Sequence, residues 1–271
     1  MSSDDLISKV DGLITRESGP WIKRKHYYLK EYAKIFTTGM GKKWSGHLTF
    51  IDLFAGPGRC FIEKMEIEED GSPLIALQYP FNKYIFVEES AFLMDALKKR
   101  CAQSPKVGSI VFIQDDSNSG ISRVIQEIPV ENLNLAFIDP TDIDIHFETI
   151  KAFAAVSNGV DLLMNIQYGM DIKRNFQTYR GQGEISKLAR FMGTDFDLSE
   201  LKEPRDVIET YKIRIGGLGY KTVEFRDIAV RNMKNSQMYF LLFASKHPTG
   251  LKFWKEISKK DEQGQYEFSY N

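Results

Sequence analysis

Leu48-Thr-Phe-Ile-Asp-Leu-Phe-Ala-Gly-Pro-Gly-Arg-Cys60 is the stretch that decides the fold. From Leu48 to Phe54 it is apolar except for Thr49 and Asp52, and rich in branched and aromatic side chains. Such a run predicts a strand buried on both faces of a parallel sheet. It breaks into Ala55-Gly56-Pro57-Gly58. Gly56 and Gly58 lack a Cβ, so a ligand can approach the backbone closely. Pro57 fixes its own φ and turns Gly56 away from the helical region, which sharpens the turn. A strand entering a glycine turn at the carboxyl edge of a parallel sheet is where α/β proteins bind nucleotides. Asp52, near the strand end, is placed to accept from a cationic amino group or an ordered water. A dinucleotide fingerprint requires a third glycine, where this chain has Phe61. That counts against a nicotinamide oxidoreductase.

Downstream, residues 61–71 interrupt the expected strand–turn–helix. Ser72 is then a suitable N-cap and Pro73 a suitable first helical residue. Tyr84-Ile-Phe-Val87 reads as the second strand and ends on Glu88. A carboxylate there accepts both hydroxyls of a ribose and repels a 2′-phosphate; Glu89 is the neighbouring alternative. A helix through Phe92, Leu93, Ala96 and Leu97 leads to a third strand, Ile110 to Ile113. One of Asp115 and Asp116 is a candidate to accept from an adenine amino group, while Asp116 or Ser117 caps the next helix. The fourth strand, Leu133 to Ile138, ends in Asp139-Pro140-Thr141-Asp142. Asp139 would face the reactive end of a bound cofactor. A helix over 146–156 precedes the fifth strand, Asp161 to Ile166. The polar segment Gln167 to Asn175 follows, where a substrate-facing loop belongs. Tyr168, Arg174 and Asn175 are the candidate substrate contacts.

Residues 176–200 read as short helical pieces covering the site, and 206–215 as a helix. Lys221 to Ile228 and Met238 to Ala244 read as two strands, antiparallel because their connection is short. The connection carries a basic turn, Arg231 to Asn235. Residues 251–257 form a last helix. At the other end, Leu6, Val10, Leu13 and Ile14 suggest an amphipathic helix over 5–18. Tyr28, Tyr32, Ile35 and Phe36 share one face of a second helix, preceded by Lys23, Arg24, Lys25 and His26. Basic residues beside aromatics can grip a nucleic acid. For most of them the simpler reading is a lysine-rich helix whose tyrosines cover the sheet edge. The expected organisation is a helical segment over 1–45 packed on a single domain over 46–271, with a helical cover around 170–215.

Composition narrows the classes. The 271 residues are 42% hydrophobic and 27% charged, as in ordinary globular proteins. A net charge of −1 gives no global drive towards nucleic acid, so such a surface would be a local patch. Only Cys60 and Cys101 are present, without C-x-x-C spacing, which argues against zinc and iron–sulfur sites. No apolar run reaches membrane-spanning length. The opening Met1-Ser-Ser-Asp-Asp5 is unlike a secretory signal. The expected compartment is a reducing cytoplasm.

Together these motifs carry a resemblance. Asp52-Leu-Phe-Ala-Gly-Pro-Gly58 resembles motif I of the class I S-adenosylmethionine-dependent methyltransferases. More specifically, the chain is similar to the three-Cys-motif partner proteins of bacteria. The shared features are Trp21, Lys25-His-Tyr-Tyr-Leu-Lys-Glu-Tyr32, motif I, Gly71-Ser-Pro-Leu-Ile-Ala-Leu77, Tyr84-Ile-Phe-Val-Glu88, Leu135-Ala-Phe-Ile-Asp-Pro140, Asp161-Leu-Leu-Met-Asn165 and Arg174-Asn175. The resemblance implies a Rossmann-like methyltransferase fold: a mostly parallel seven-stranded sheet, helices on both faces, and an antiparallel C-terminal hairpin. It implies S-adenosylmethionine as cofactor, held by Asp52, Phe54, Ala55, Gly56, Gly58, Glu88 and Asp115 or Asp116. It implies catalysis around Asp139, Pro140 and Thr141, and a three-Cys-motif protein as partner. It leaves the substrate open, with nucleic acid mildly favoured. Thr141-Asp142 departs from the family's expected aromatic or glycine-containing turn. Thr141 also replaces the second proline of the Asn/Asp-Pro-Pro-Tyr/Phe motif of amino-methylating DNA enzymes. The alternative reading is a non-catalytic module of the same fold that works through protein contact.

Overall fold

The computed structural model describes residues 6–220, 227–231 and 237–260, with backbone alone for 227–231. Its centre is a seven-stranded sheet. The strands are β1 (Leu48–Asp52), β2 (Lys83–Val87), β3 (Ile110–Ile113), β4 (Leu133–Ile138), β5 (Val160–Ile166), β6 (Asp227–Arg231) and β7 (Gln237–Ala244). The spatial order is β3-β2-β1-β4-β5-β7-β6. The first five strands are parallel. β7 runs antiparallel to both β5 and β6, with Phe240 opposite Ile166 and Ala229. Every residue of β1, β4 and β5 is buried, as expected of parallel strands covered on both faces.

Two cores flank the sheet. One face is covered by α1 (Ile22–Gly41), α2 (Ser72–Ala76), α3 (Ala91–Cys101) and α9 (Pro248–Ile257). Tyr28, Tyr32 and Phe36 of α1 are fully buried there, and Trp254 stacks on Phe243 at 5.0 Å. Their aromatic faces belong to the core. The other face carries α4 (Ile121–Glu127), α5 (Phe147–Ala154), α6 (Lys173–Gln182), α7 (Lys187–Met192) and α8 (Pro204–Gly217).

Two stretches differ from the sequence expectation. No helix forms over the described part of 5–18. Ile7 bridges Ile14, and Arg16–Ser18 is a strand parallel to Arg59–Ile62. The apolar spacing there is met by strand pairing, and Gly12 takes a left-handed φ of +69° that ends any helical run. The interruption at 61–71 is a hairpin. Arg59–Ile62 pairs antiparallel with Ile67–Asp70, completing a three-stranded side sheet with Arg16–Ser18. The first part of the expected strand Lys221 to Ile228 lies outside the described residues; of the expected basic turn Arg231 to Asn235, Arg231 ends β6 and the rest also lies outside them.

Candidate functional site

The turn after β1 is wired into the sheet edge. Phe54 N donates to Asp52 Oδ1 (3.2 Å), Ala55 N to the Val87 carbonyl (2.9 Å) and Gly56 N to Glu88 Oε2 (2.9 Å). Gly56 has φ +59°, and a Cβ there would meet nothing within 4 Å, so the backbone faces open space. Gly58 has φ +83°, and a Cβ there would meet Leu97 Cδ1 at 2.9 Å. Glu88 Oε1 accepts from Ser90 N (2.9 Å). A carboxylate accepts about four hydrogen bonds, so Glu88 retains capacity for a ribose. A cavity of about 170 Å³ opens beside the turn, lined in part by Leu53, Phe54, Glu88, Asp116, Pro140 and Thr141.

Asp52 and the β3-end carboxylates sort by environment. Asp52 is fully buried under the turn. Burial pushes its carboxyl up to about 7, with the Ser72 hydroxyl and the Phe54 amide offsetting part of the rise. Asp116 lines the cavity, and its Oδ1 holds the amides of Asn118 (3.0 Å) and Ser119 (2.8 Å). Asp115 pairs with Arg123 at 3.0 Å. The Ser117 hydroxyl donates to the Leu53 carbonyl.

The Asp52 shift makes a prediction. Its folded pKa lies above the ordinary 3.8, so its stability contribution is complete below about 4 and is lost as pH rises through about 7. Asp52→Asn should therefore gain on the wild type in melting temperature between pH 5 and pH 8. Parallel curves across that range would show that Asp52 ionises normally. Asp161, raised by burial to about 6, keeps its own slope in both proteins.

At the end of β4, Asp139 is already engaged. Lys25 Nζ, from α1, donates to both of its oxygens at 2.7 and 2.9 Å. Asn165 Nδ2, from β5, donates to Oδ1 at 2.6 Å. The Pro140 carbonyl accepts from Gln167 Nε2 at 2.8 Å. Asp142 pairs with Lys187 at 2.5 Å. A second cavity, about 260 Å³, is lined by Lys25, Asp139, Trp21, Tyr239, Gln167 and Met170 among others. It shares Arg16, Pro140 and Thr141 with the first cavity, so the two form one cleft across the strand ends. Lys25 also lies 4.9 Å from the Tyr239 ring centre, and the buried Tyr239 hydroxyl has no partner.

The loop after β5 is placed differently from its candidate role. Tyr168 sits edge-on to Phe240 at 5.2 Å. Asn175 Nδ2 donates to Asp171 Oδ1 (2.7 Å), whose Oδ2 accepts from Ile143 N (2.9 Å). Arg174 is exposed on α6. Neither half of the cleft is lined by these three, whereas Gln167 and Met170 from the same segment line the second. Sequence reasoning gave no site role to Arg16 or Tyr239, named Trp21, Lys25 and Asn165 without assigning them one, and placed Gln167 only within the substrate-facing segment. Lys25 was visible in a run of basic residues and in the Lys25 to Tyr32 stretch of the resemblance, and neither points to Asp139 as its partner. A separate cavity of about 710 Å³ lies between α6 and the 194–199 loop and includes none of the strand-end residues.

The sheet order, with a reversed β7 between β5 and β6 and a glycine turn after β1, decides the fold. This is the Rossmann-like, class I methyltransferase fold. No family model matches the chain, and no curated protein matches it in sequence. Solved structures do match in fold. Protein LPL1258 from Legionella pneumophila aligns with a TM-score of 0.50 at 11% identity, over 89% of this chain and 94% of that one. The O-methyltransferase TomG from Streptomyces achromogenes, solved with S-adenosylmethionine, aligns at 0.47 and 9% identity, over 82% and 80%. The methyltransferase domain of bacterial CtHen1 aligns at 0.43 and 14%, over 80% and 99%. At these identities the likeness is one of fold. Among the described residues no helix is long and apolar enough to cross a membrane, and no cluster of metal ligands occurs. Both cysteines are buried, their thiols pushed up by burial to about 11 and about 12.

Proposed function

We propose that this chain is an S-adenosylmethionine-dependent methyltransferase. The observation that carries the reading is Glu88 on the amide of a left-handed, open Gly56, beside a cleft that runs on to Asp139. Glu88 would hold the ribose, Asp116 the adenine, and the glycine turn would admit the close approach of the ligand. When bound, the cofactor supplies a methyl group already activated as a sulfonium. The protein then needs mainly to align the accepting atom. Asp139, fixed by Lys25 and Asn165, orients that atom, with Pro140 and Thr141 forming the wall beside it.

Isothermal calorimetry with S-adenosylmethionine and S-adenosylhomocysteine, against NAD as control, tests the reading. Micromolar binding of the first two and none of NAD is expected. Glu88→Ala should weaken binding by about ten- to a hundred-fold, the range for a lost charge-assisted hydrogen bond. Unchanged affinity in that variant would remove Glu88 from the site.

The motif order supports membership in the three-Cys-motif partner family, with a cysteine-bearing protein as companion and a cytoplasmic setting. A nucleic-acid acceptor is supported by the exposed Lys173 and Arg174, not by α1, whose Tyr28 and Tyr32 are buried. A salt titration of RNA and DNA binding tests it: no binding at low salt removes this acceptor class. One observation favours a second reading. Both Asp139 oxygens and the Pro140 carbonyl already accept hydrogen bonds, which suits a module that keeps the cofactor without transferring its methyl group. That module would bind cofactor and show no turnover on any substrate pool.

A further inference from the structure

The cleft is electrostatically lopsided. Five carboxylates line its first cavity, and Glu17 and Asp139 line the second. Among the described lining residues the cations are Arg16 and Lys25, and Lys25 is committed to Asp139. Arg16 lines both cavities and makes no ion pair with any described residue. Its backbone is nonetheless fixed. Arg16–Ser18 pairs with Arg59–Ile62, and the neighbouring Thr15 hydroxyl donates to the Arg59 carbonyl at 2.8 Å.

A second observation concerns the glycine turn. A turn of this kind can offer an anion its backbone amides. Here the amides of Phe54, Ala55 and Gly56 already donate to Asp52, Val87 and Glu88. An anionic group entering the cleft finds those donors taken and carboxylates on most sides.

We propose that Arg16 binds the carboxylate of the cofactor's amino-acid end. The inference rests on the S-adenosylmethionine reading above. That cofactor carries a sulfonium, an ammonium and one carboxylate. The acidic residues of the lining attract the two cationic groups, and Arg16 is the lining cation that no described carboxylate already holds, which leaves it for the cofactor's carboxylate. A guanidinium meets a carboxylate with two parallel hydrogen bonds, which sets orientation as well as affinity. Recognition of the carboxylate thus comes from the N-terminal strand, and that of the ammonium from the acidic lining.

Calorimetry on the full chain with S-adenosylmethionine and its decarboxylated form separates this contact from all others, because the two ligands differ only in the carboxylate. The wild type should prefer the intact cofactor by about ten- to a hundred-fold. Arg16→Gln should abolish that preference, weakening the intact cofactor and leaving the decarboxylated form within about two-fold of wild type. Arg16→Lys should keep part of it, as a charge without the planar fork. Equal weakening of both ligands would make Arg16 a wall of the cleft and overturn the proposal, as would no change in either. If wild type binds neither ligand, the cofactor reading itself has failed, and this inference falls with it.

Discussion

Lys25→Met should destabilise the protein by about 3–5 kcal/mol, the range for breaking a buried ion pair from one side. Lys25 is 6% exposed, and its Nζ donates to both Asp139 oxygens. Removing it leaves Asp139 at the strand end with the amide of Asn165 as its remaining donor among these three groups. The double variant Lys25→Met/Asp139→Asn should recover most of that loss, because replacing both members of such a pair is often close to neutral. Urea denaturation of the wild type, both single variants and the double variant measures the coupling. Additive losses would show that the pair is solvated and contributes little. A recovered double variant that still binds S-adenosylhomocysteine would separate the pair's structural role from cofactor binding.

Arg100→Ala should have an effect of similar size, and one that reaches the cofactor turn. Arg100 lies in the last turn of α3 and is 8% exposed. Its guanidinium donates to both Asp11 oxygens (2.7 and 2.8 Å), to the Ile14 carbonyl (2.8 Å) and to the Pro57 carbonyl (2.6 Å). One side chain therefore ties the N-terminal segment to the glycine turn. Truncation leaves a buried carbonyl at Pro57 without this donor and frees residues 6–18 from α3. The expected loss is about 3–5 kcal/mol, with faster proteolysis before Arg16 and weaker S-adenosylhomocysteine binding. Intact protease resistance would show that the side sheet alone anchors the segment. Arg100 also holds the Asp11 carboxyl down at about 2, below its ordinary 3.8. This contribution is full above about 4 and is lost as pH falls through about 2. Arg100→Ala should therefore lose its stability less steeply than the wild type in that acid window.

The parallel core was legible because burial on both faces leaves a mark on each strand separately. Leu48–Asp52, Leu133–Ile138 and Val160–Ile166 are apolar runs closed by turn residues, and all three were readable without neighbours. The strand ends followed, since a carboxylate after an apolar run lies at the carboxyl edge of the sheet. Glu88 and Asp116 line the cleft on that logic. The roles of Tyr168 and Asn175 were less legible, because a loop's direction depends on what packs beneath it. Phe240 of β7 and the 143 backbone set those directions from distant parts of the chain. The stretch over 5–18 misled because its apolar spacing suits a helix, while its partner for strand pairing lies more than forty residues away, at Arg59–Ile62.

The sequence by itself determined the buried strands, the glycine turn and the order in which carboxylates reach the sheet edge. Each of these depends on local composition, on backbone freedom at two glycines, or on chain direction. The tertiary structure alone decided which groups meet Asp139 and which cation of the cleft has no ion-pair partner among the described residues. Lys25 and Asp139 are separated by 114 positions, and Arg16 reaches the cleft only through pairing with the strand after the turn. Contacts of that separation leave no periodicity in the chain. They arise only when helix α1 and the side sheet dock across the strand ends.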